Sequence, residues 1–533
     1  MTDSVQTKAA TPGAWAPLRH RIFRTLWIAQ VFSLVGTWAQ TVGAQWFLTV
    51  ESGRPELVAL VQTATSLPVL LLAIPAGALA DVLDRRRMLI IVQTGMALVA
   101  VGLAVDTLTG HLGTTTLLAF TAALGAGVAL TNPAFQATVP ELVPRAELPA
   151  AAAINGVAVN LARAIGPAIG GLLVALAGVG WTFAFNAVSY LIFVVALLRL
   201  PHTPPRMDPE PFTNAMRLAV GYVRASPAML RVLARTALWV LPASALWALL
   251  PVVANSRLKL SSTGYGILLA ALGVGAILGA WQLGRIRARL SSTSLLVLAA
   301  AGYALALVVL AVGRSTPIAL VVLVLAGAGW TSVLATLNAI AQLILPGWVR
   351  ARALAVYLLV FQGGQAVGSL VWGAVAGWIS TEVSLLAAAA VLLLGLATVP
   401  ILRLPDPDRV DPSPSTHWPT PELALEPDQQ SGAVLVTVEY RVLPNCVDDF
   451  LEVMAYASRS RLRTGALRWG LYRDGAQTDR FLELYLVPSW REHVRQHEHR
   501  QTVSDRNREE ALAKLLVEPP QAGHLFSQQT PSS

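Results

Sequence analysis

A short charged string between two apolar stretches carries the residues best placed to form ion pairs. Gly77 lies near the end of one apolar stretch, Asp81 follows four residues later, and a run of three arginines starts at Arg85. A glycine lets a neighbouring helix come close because it has no Cβ. A carboxylate and arginines at helix ends can form charge-assisted hydrogen bonds that must break when the helices separate. We therefore predict a gate built from Gly77, Asp81, Arg85, Arg86 and Glu141; the alternative is that the arginines only set membrane orientation.

A second ionisable group lies inside an apolar stretch. Arg163 is about 12 residues into that stretch, hence ~18 Å deep at 1.5 Å per residue. An ionisable group at such depth is functional by default, so we predict that Arg163 faces a central cavity and attracts an anionic part of a ligand. The alternative is a structural hydrogen bond to Asn160, Gln136 or a helix-end carbonyl.

Neutral amides supply the other candidate ligand contacts. The pattern Asn132-x3-Gln136-x3-Pro140 recurs as Asn338-x3-Gln342-x3-Pro346, which predicts two related halves. We assign Asn132, Gln136, Asn338 and Gln342 to a substrate cavity, with a role in joining helices as the alternative. Further amide candidates are Gln30, Gln40, Gln45, Gln62, Asn155, Gln362 and Gln365.

Composition predicts which kind of secondary structure positions these residues. Of the 533 residues, 55% are hydrophobic and 13% charged, and the mean hydropathy is +0.58. Twelve apolar runs are long enough to span a bilayer as helices, the form that satisfies each backbone group within its own segment. They lie near residues 25–48, 57–79, 88–109, 116–139, 151–177, 181–199, 229–253, 264–284, 293–312, 317–345, 353–379 and 383–403.

Basic residues in the connections predict the orientation. The N-terminal tail and the even-numbered connections carry 19 Lys and Arg residues, whereas the opposite connections carry four. Both termini are therefore expected in the cytoplasm of a multi-pass protein of the inner or plasma membrane. Residues 1–24 contain no hydrophobic signal segment, so no signal peptide cleavage is expected.

Charge and motifs disfavour several other classes. The net charge of +9 comes from cytoplasmic connections, where anionic lipid is the natural partner, so no nucleic-acid partner is expected. No Walker sequence is present, which disfavours ATP-driven transport. His493-x3-His497-x-His499 lies among charged residues, so we expect a solvated helical face and no metal site. No cofactor is expected.

The chain divides into seven predicted segments, of which the sixth is a soluble domain of β-α-β-β-α order. An all-α membrane protein with two six-helix halves and a small cytoplasmic α+β domain is therefore expected. The segments are a tail (1–24), the first half (25–200), a central loop (201–228), the second half (229–404), a linker (405–432), the C-terminal domain (433–526) and a short end (527–533).

These motifs resemble those of the major facilitator superfamily. The string at Gly77, Asp81, Arg85 and Arg86 is similar to its signature between helices 2 and 3, although Asp84 stands where many members have a second glycine. The resemblance implies twelve helices and proton-coupled transport. No acidic residue lies mid-span, which leaves Asp81 and Asp106 as weak candidates for carrying the proton.

A second motif resembles the antiporter signature of exporters in that superfamily. It is Gly166-Pro167-x-x-Gly170-Gly171, with Ala153 and Ala162 at positions where the family has glycine; the alternative is ordinary close packing of small residues. Asn132-Pro133-Ala134 and Asn160-x-x-Arg163 resemble the branch of siderophore and macrolide exporters known as transmembrane secretion effectors. The C-terminal domain resembles the ferredoxin-like fold of antibiotic-biosynthesis monooxygenases, which implies possible self-association.

The sequence therefore predicts a transporter. We expect a secondary active exporter of a small amphiphilic molecule, siderophore-, macrolide- or drug-like, working by alternating access and coupled to protons. The alternatives are a membrane-anchored enzyme with a catalytic C-terminal domain, and an uptake facilitator.

Overall fold

The computed structural model describes residues 13, 15–200, 212–406, 411, 413, 415 and 432–527, without the side chains at 74, 78, 80–82, 212–217, 351 and 499. The chain begins as a series of long helices. The first six are α1 (Arg21–Glu51), α2 (Pro55–Val82), α3 (Arg85–Leu108), α4 (Thr114–Leu142), α5 (Leu148–Ala177) and α6 (Val179–Leu197). After α7 (Phe212–Ala225) come α8 (Pro227–Ser256), α9 (Ser262–Arg287), α10 (Ser292–Val312), α11 (Thr316–Ile344), α12 (Gly347–Trp378) and α13 (Thr381–Ala397).

Within the described ranges, eleven of these helices are long and apolar enough to cross a membrane. The protein is therefore a multi-pass membrane protein. The twelfth predicted span coincides with α13, which has 17 residues and is shorter than the other eleven. Most helices extend past the predicted spans, as α1 does at both ends, because hydropathy marks only the part of a helix that lies in hydrocarbon.

The C-terminal region is a four-stranded antiparallel sheet with helices. Its elements are β1 (Val434–Arg441), α14 (Val447–Thr464), β2 (Arg468–Arg473), β3 (Arg480–Val487), α15 (Trp490–Arg495), a π-helical turn (Gln496–Arg500), α16 (Val503–Ala513) and β4 (Gln521–Phe526). The strand order is β2-β3-β1-β4. The sequence did not predict β4, because its residues alternate only weakly between polar and apolar. The strand is defined by its pairing with β1, where Val436 lies opposite His524.

Chain contacts divide the molecule into two compact units, described separately below. The membrane unit comprises residues 1–209, 236–336 and 358–402. The second unit comprises residues 210–235, 337–357 and 403–533, so it contains α7, the turn between α11 and α12, and the C-terminal sheet domain. Within this second unit, α7 packs against α14.

A buried carboxylate lies on the sheet of the C-terminal domain. Glu483 is fully buried and accepts hydrogen bonds from Tyr440 Oη at 2.7 Å and Trp469 Nε1 at 2.8 Å. Its Oε1 also lies 3.5 Å from Arg461 Nε. Because a buried charge is tolerated only when paired and hydrogen-bonded, these three partners make Glu483 compatible with the core.

Histidines form a second buried cluster in this domain. His493 Nε2 lies 3.0 Å from His524 Nε2, and the rings of His493 and His497 are 4.8 Å apart. His493 and His497 are buried, so the predicted solvated face is wrong for both; α15 packs against β3. No group of metal-binding residues occurs in the described part of the chain.

The histidines predict an acid-sensitive C-terminal domain. Burial, together with the nearby His524, lowers the pKa of His493 to about 3. Burial, together with the charge of Arg461, lowers the pKa of His497 to about 2. Unfolded histidines titrate near pH 6.5, so below this pH the unfolded state binds protons that the folded state excludes. We expect the free energy of unfolding to fall by about 1.4 kcal/mol per pH unit per histidine between roughly pH 6 and pH 4.

Hydrogen exchange of β1 and β3 in the full-length protein, corrected for intrinsic exchange rates, measures this fall. His497→Asn should reduce the slope, whereas His111→Asn, at an exposed position between α3 and α4, should leave it unchanged. A protection factor that stays constant between about pH 6 and pH 4 would contradict the prediction.

Candidate functional site

The charged string forms a tight turn between α2 and α3. Only Leu83 and Asp84 separate the two helices, and the Asp84 side chain accepts a hydrogen bond from the Arg87 backbone N–H at 3.1 Å. Asp84 is therefore an N-cap, and its φ of −58° requires no glycine. This accounts for aspartate at the position where the superfamily signature often has glycine.

The two arginines of the predicted gate contact different helices. Arg85 Nη1 donates to Glu141 Oε1 at 2.5 Å and to the Ala137 carbonyl at 3.1 Å, which joins α3 to α4. Arg86 donates to the carbonyls of Leu197 at 3.4 Å and Leu198 at 2.8 Å. Carbonyls at the end of α6 attract a cation because they carry the negative end of the helix dipole.

Two further gate residues are less constrained by the structure. Around Gly77, no atom of the described residues would lie within 4 Å of an added Cβ, so this part of the structure does not use the absence of a Cβ at Gly77. Asp81 belongs to α2, but its side chain lies outside the described residues. The role of both residues stays a prediction.

The second half has an analogous but weaker link. Arg287, near the end of α9, donates from Nη2 to Thr336 Oγ1 on α11 at 2.9 Å. In the second unit, Arg350 donates to the Leu345 carbonyl at 3.0 Å and closes the turn between α11 and α12.

The Gly-Pro motif places α5 in backbone contact with two helices. A Cβ at Gly170 would lie 2.7 Å from Ala39 Cα on α1, and one at Gly166 would lie 2.6 Å from Trp38 Cβ. A Cβ at Gly171 would lie 2.5 Å from the Ser262 carbonyl on α9. Real Cβ atoms do not approach so closely, so only glycine fits at these three positions.

Pro167 completes this packing. Its own carbonyl, one turn before Gly171, would lie 2.6 Å from a Cβ at Gly266 of α9. Further along the same interface, a Cβ at Gly273 would lie 2.5 Å from Ala164 Cα. Small residues therefore line both sides of the contact between α5 and α9.

Arg163 lies on α5 one turn before this motif. Its guanidinium carbon is 5.9 Å from the centre of the Trp38 ring, a cation–π distance. Its Nε is buried and has no hydrogen-bond partner among the described residues. Asn160, the partner considered from sequence, donates instead to the Gly156 carbonyl of its own helix at 3.0 Å.

An aromatic cluster continues from Trp38 into the second half. Trp38 lies 5.8 Å from Trp247 of α8, and Trp247 lies 5.6 Å from Trp330 of α11. Trp330 in turn contacts Phe361 of α12 at 6.1 Å and Tyr303 of α10 at 6.2 Å. The sequence does not predict this cluster, because nothing in the sequence shows that these distant helices meet.

The predicted cavity amides differ in their surroundings. Asn132, Gln136, Asn338 and Gln342 are all exposed in the structure. Gln30 and Asn155, by contrast, each have a buried side-chain oxygen without a partner in the described part of the chain. Gln45 accepts from Tyr265 Oη of α9 and donates to the Trp247 carbonyl at 3.3 Å, so it joins α1 to α9 and α8.

A second link joins α2 to α12. Thr63 Oγ1 donates to the Ala366 carbonyl at 3.2 Å, and a Cβ at Gly373 would lie 2.4 Å from Ala59 Cβ. Like the contacts of Gln45, these contacts are nearer the turn between α1 and α2 than the arginine string at the other end of α2. Helix α12 is thus in contact with α2 on that side.

The glycine contact generates a stability prediction. Gly171→Ala places a methyl group against the Ser262 carbonyl, and we expect such overpacking to lower the free energy of unfolding by about 1–3 kcal/mol. Gly156→Ala on the same helix meets no atom within 4 Å in the described part, so it should be neutral or stabilising by up to about 1 kcal/mol. Thermal unfolding of the purified protein in one detergent compares the variants. Equal melting temperatures for the two would contradict the prediction.

Comparison with known proteins places the chain in a family. Residues 12–531 match the sequence model described as transmembrane secretion effector. The enterobactin exporter of Salmonella typhi is 28% identical over 400 residues, covering 72% of this chain and 92% of the relative. The staphyloferrin A transporter of Staphylococcus aureus is 27% identical over 256 residues, covering 47% and 64% respectively.

Solved structures agree on the fold. A bacterial homologue of the human lysosomal transporter Spinster, inward-facing and occupied, matches 72% of this chain and 97% of its own with a TM-score of 0.59 at 15% identity. A nucleoside transporter mutant matches 72% of this chain and all of its own, with a TM-score of 0.59 at 14% identity. The chain belongs to the transmembrane secretion effector family, a group of membrane transporters within the major facilitator superfamily.

Proposed function

We propose that this transporter exports a small amphiphilic molecule of siderophore, macrolide or drug-like type by alternating access, coupled to protons. One observation carries the proposal: Arg163 keeps a buried Nε without a partner while its guanidinium packs on Trp38. An arginine inside a membrane helix normally pairs with a protein group. A free donor at this depth suits a cargo that supplies the missing acceptor.

The named relatives support the siderophore class. Enterobactin and staphyloferrin A appear in the names of two of them. Hydrogen-bonding cargo also fits the two helices that carry Trp38 and Arg163, because buried oxygens of Gln30 on α1 and Asn155 on α5 lack partners in the described part, and the aromatic cluster offers apolar faces. We assign Arg163, Asn132, Gln136, Asn338 and Gln342 to the substrate pathway.

We further propose that the arginine-rich face is cytoplasmic, with both termini on that side of the cell membrane. The contacts of Gln45 with Tyr265 and of Thr63 with Ala366 would then close the outer side. The pathway would be accessible from the cytoplasm, the state in which an exporter collects cargo. Two six-helix halves, with α13 as the twelfth span, would rock about the midplane.

Arg85 and Arg86 have a specific part in this proposal. Their bonds to Glu141 and to the end of α6 join α3, α4 and α6 into one body at the cytoplasmic face. Gly77 and Asp81 would act when that face closes, which agrees with the open space around Gly77 in this state. The Gly166–Gly171 motif would keep α5 close to α1 and α9.

The remaining segments complete the proposed organisation. Strand order β2-β3-β1-β4 with helices between the strands supports a ferredoxin-like domain at 433–526, with self-association as its proposed property. The other proposed segments are the tail (1–24), the halves (25–200 and 229–404), the central loop (201–228), the linker (405–432) and the end (527–533).

Substitution of Arg163 tests the cargo site. Arg163→Gln removes the charge-assisted hydrogen bond, worth about 1.5–3 kcal/mol, and should reduce export by roughly 10- to 100-fold. Arg163→Lys keeps the charge and should retain most activity. Export of radiolabelled siderophore, macrolide or dye from cells measures the effect, with exposed Arg314→Gln as the matched control. An inactive Lys variant with wild-type abundance would assign Arg163 a structural role.

Asp81 tests the gate. Cells producing the wild type should accumulate less of at least one compound from a panel than empty cells, and Asp81→Asn should abolish that difference because the gate carboxylate is lost. Immunoblotting of membranes controls for abundance. Identical accumulation in wild-type, variant and empty cells would sink the exporter proposal.

A further inference from the structure

Helix α7 lies on the C-terminal domain. Within the second unit it packs against α14. Its apolar side is enclosed, since Ala219, Tyr222 and Val223 are buried. Leu218 Cδ2 lies 3.5 Å from the position that a Cβ would take at Gly465, the residue that follows α14. The short helix is therefore in direct contact with the domain, although about 200 residues separate the two in sequence.

Helix α7 is also joined directly to α8. Only Ser226 separates the end of α7 from Pro227, the first residue of α8. Ser226 Oγ accepts a hydrogen bond from the Met229 backbone N–H at 3.3 Å, which caps the beginning of α8. A connection of one capping residue leaves little room for one helix to move without the other. A displacement of the beginning of α8 therefore reaches α7.

Trp348 brings the beginning of α12 to the same place. It is the second residue of α12, and its ring meets the ring of Tyr222 on α7 edge-on at 5.9 Å. The guanidinium carbon of Arg500 lies 5.1 Å from the centre of the Trp348 ring, and the Trp348 Nε1 atom is buried. Tryptophan, tyrosine and arginine are the side chains that contribute most often to binding at protein interfaces. Trp348 thus lies between α7 and the C-terminal domain.

The domain holds Arg500 in a fixed orientation. Its side chain is only 6% exposed, and its Nη2 lies 2.6 Å from Glu492 Oε2. Its Nη1 donates to the Thr464 carbonyl at the end of α14 at 2.9 Å. Because the domain binds both Nη atoms, the cation is oriented before it meets Trp348. A cation–π contact of this kind stabilises an interface by roughly 2- to 30-fold in an equilibrium constant.

The chain that follows α13 reaches the same edge of the domain. The Ser415 backbone N–H donates to the Gln501 carbonyl at 3.0 Å, and the Val503 backbone N–H donates to the Ser413 carbonyl at 3.0 Å. Gln501 and Val503 come directly after the π-helical turn that ends with Arg500. Three separate segments therefore contact one edge of the domain: α7, the beginning of α12 and this stretch.

We propose that the C-terminal domain is a latch that fastens the beginning of α12 to α7, and through α7 to the beginning of α8, with Trp348 as the residue it grips. The two helix ends and the domain then move as one body during transport. A domain attached only by a flexible linker would move independently of both helices. The inference concerns contacts inside the second unit, so it does not depend on the cargo or on the coupling ion.

Cutting the linker tests whether these contacts hold the domain. A specific protease site replaces residues 424–429 and is cut in the full-length protein in lipid nanodiscs, and size exclusion then separates any released domain. A short tether supplies an effective concentration in the mM range, so after the cut only the contacts retain the domain. We expect most of the domain to stay with the nanodiscs at about 1 μM protein, which requires a dissociation constant below that concentration.

Two tryptophans of the same helix supply matched variants. Trp348→Ala removes the contacts with α7 and with the domain, and it should weaken retention of the cut domain at least about tenfold. Trp378→Ala makes the same change at the last residue of α12, which is 85% exposed, and should leave retention unchanged. Trp348→Phe keeps an aromatic face and should retain more of the domain than Trp348→Ala.

Hydrogen exchange of the uncut protein tests whether the helices are fastened. Arg500→Met removes the cation above Trp348, so exchange should become at least about threefold faster in α7 and in the first two turns of α12. Arg459→Met, at an exposed position of α14, should change neither. Unchanged exchange in β1 and β3 shows in each variant that the domain remains folded.

Three results would each overturn the proposal. The first is release of most of the domain from the cut wild-type protein. The second is retention in Trp348→Ala that equals retention in the wild type. The third is exchange of α7 in Arg500→Met that matches the wild type, because the domain would then leave α7 and α12 free to move apart.

Discussion

The backbone contact of α5 with α1 and α9 is the constraint on which the membrane unit depends. Helices in hydrocarbon gain nothing from burying apolar side chains, so they associate through close van der Waals packing. Gly170 allows α1 to touch α5, and Gly171 allows α9 to touch it. Because α1 and α9 belong to different predicted halves, α5 is one of the helices that connect these halves. The same packing sets where Arg163 lies and places its guanidinium on Trp38.

Hydrogen bonds distinguish the polar side chains that join helices from a polar group that has no partner in the described part of the chain. Arg85 and Arg86 satisfy acceptors on α4 and α6 within the first six helices, and Gln45 satisfies partners on α8 and α9. Arg163 Nε has no such partner in the described part. A protein that leaves an arginine donor unsatisfied in a membrane pays a large cost unless water or a ligand reaches it. This contrast distinguishes the structural polar groups from the candidate for binding cargo.

The C-terminal domain follows the same rule. Its buried Glu483 is stabilised by Tyr440, Trp469 and Arg461, and its buried Asp505 by Ser460, Tyr456 and Arg463. Side chains that compensate a buried charge also orient one another, which leaves these buried polar groups little freedom to rearrange.

Hydropathy alone indicated the long membrane helices and their order, because hydrocarbon permits only helices at such apolar runs, and the resemblance of short motifs indicated the family. The Gly166–Gly171 spacing left close packing of small residues open as one of two interpretations, and the expected depth of Arg163 followed from its place in the apolar run. Only the tertiary structure decided that α1 and α9 are the partners of α5, that Arg86 bonds to α6, and that His493 and His497 are buried. It alone revealed β4, because the local sequence pattern does not encode the pairing of β4 with β1. These features depend on residues distant in sequence, and their free energy comes from contacts that exist only after the chain has folded.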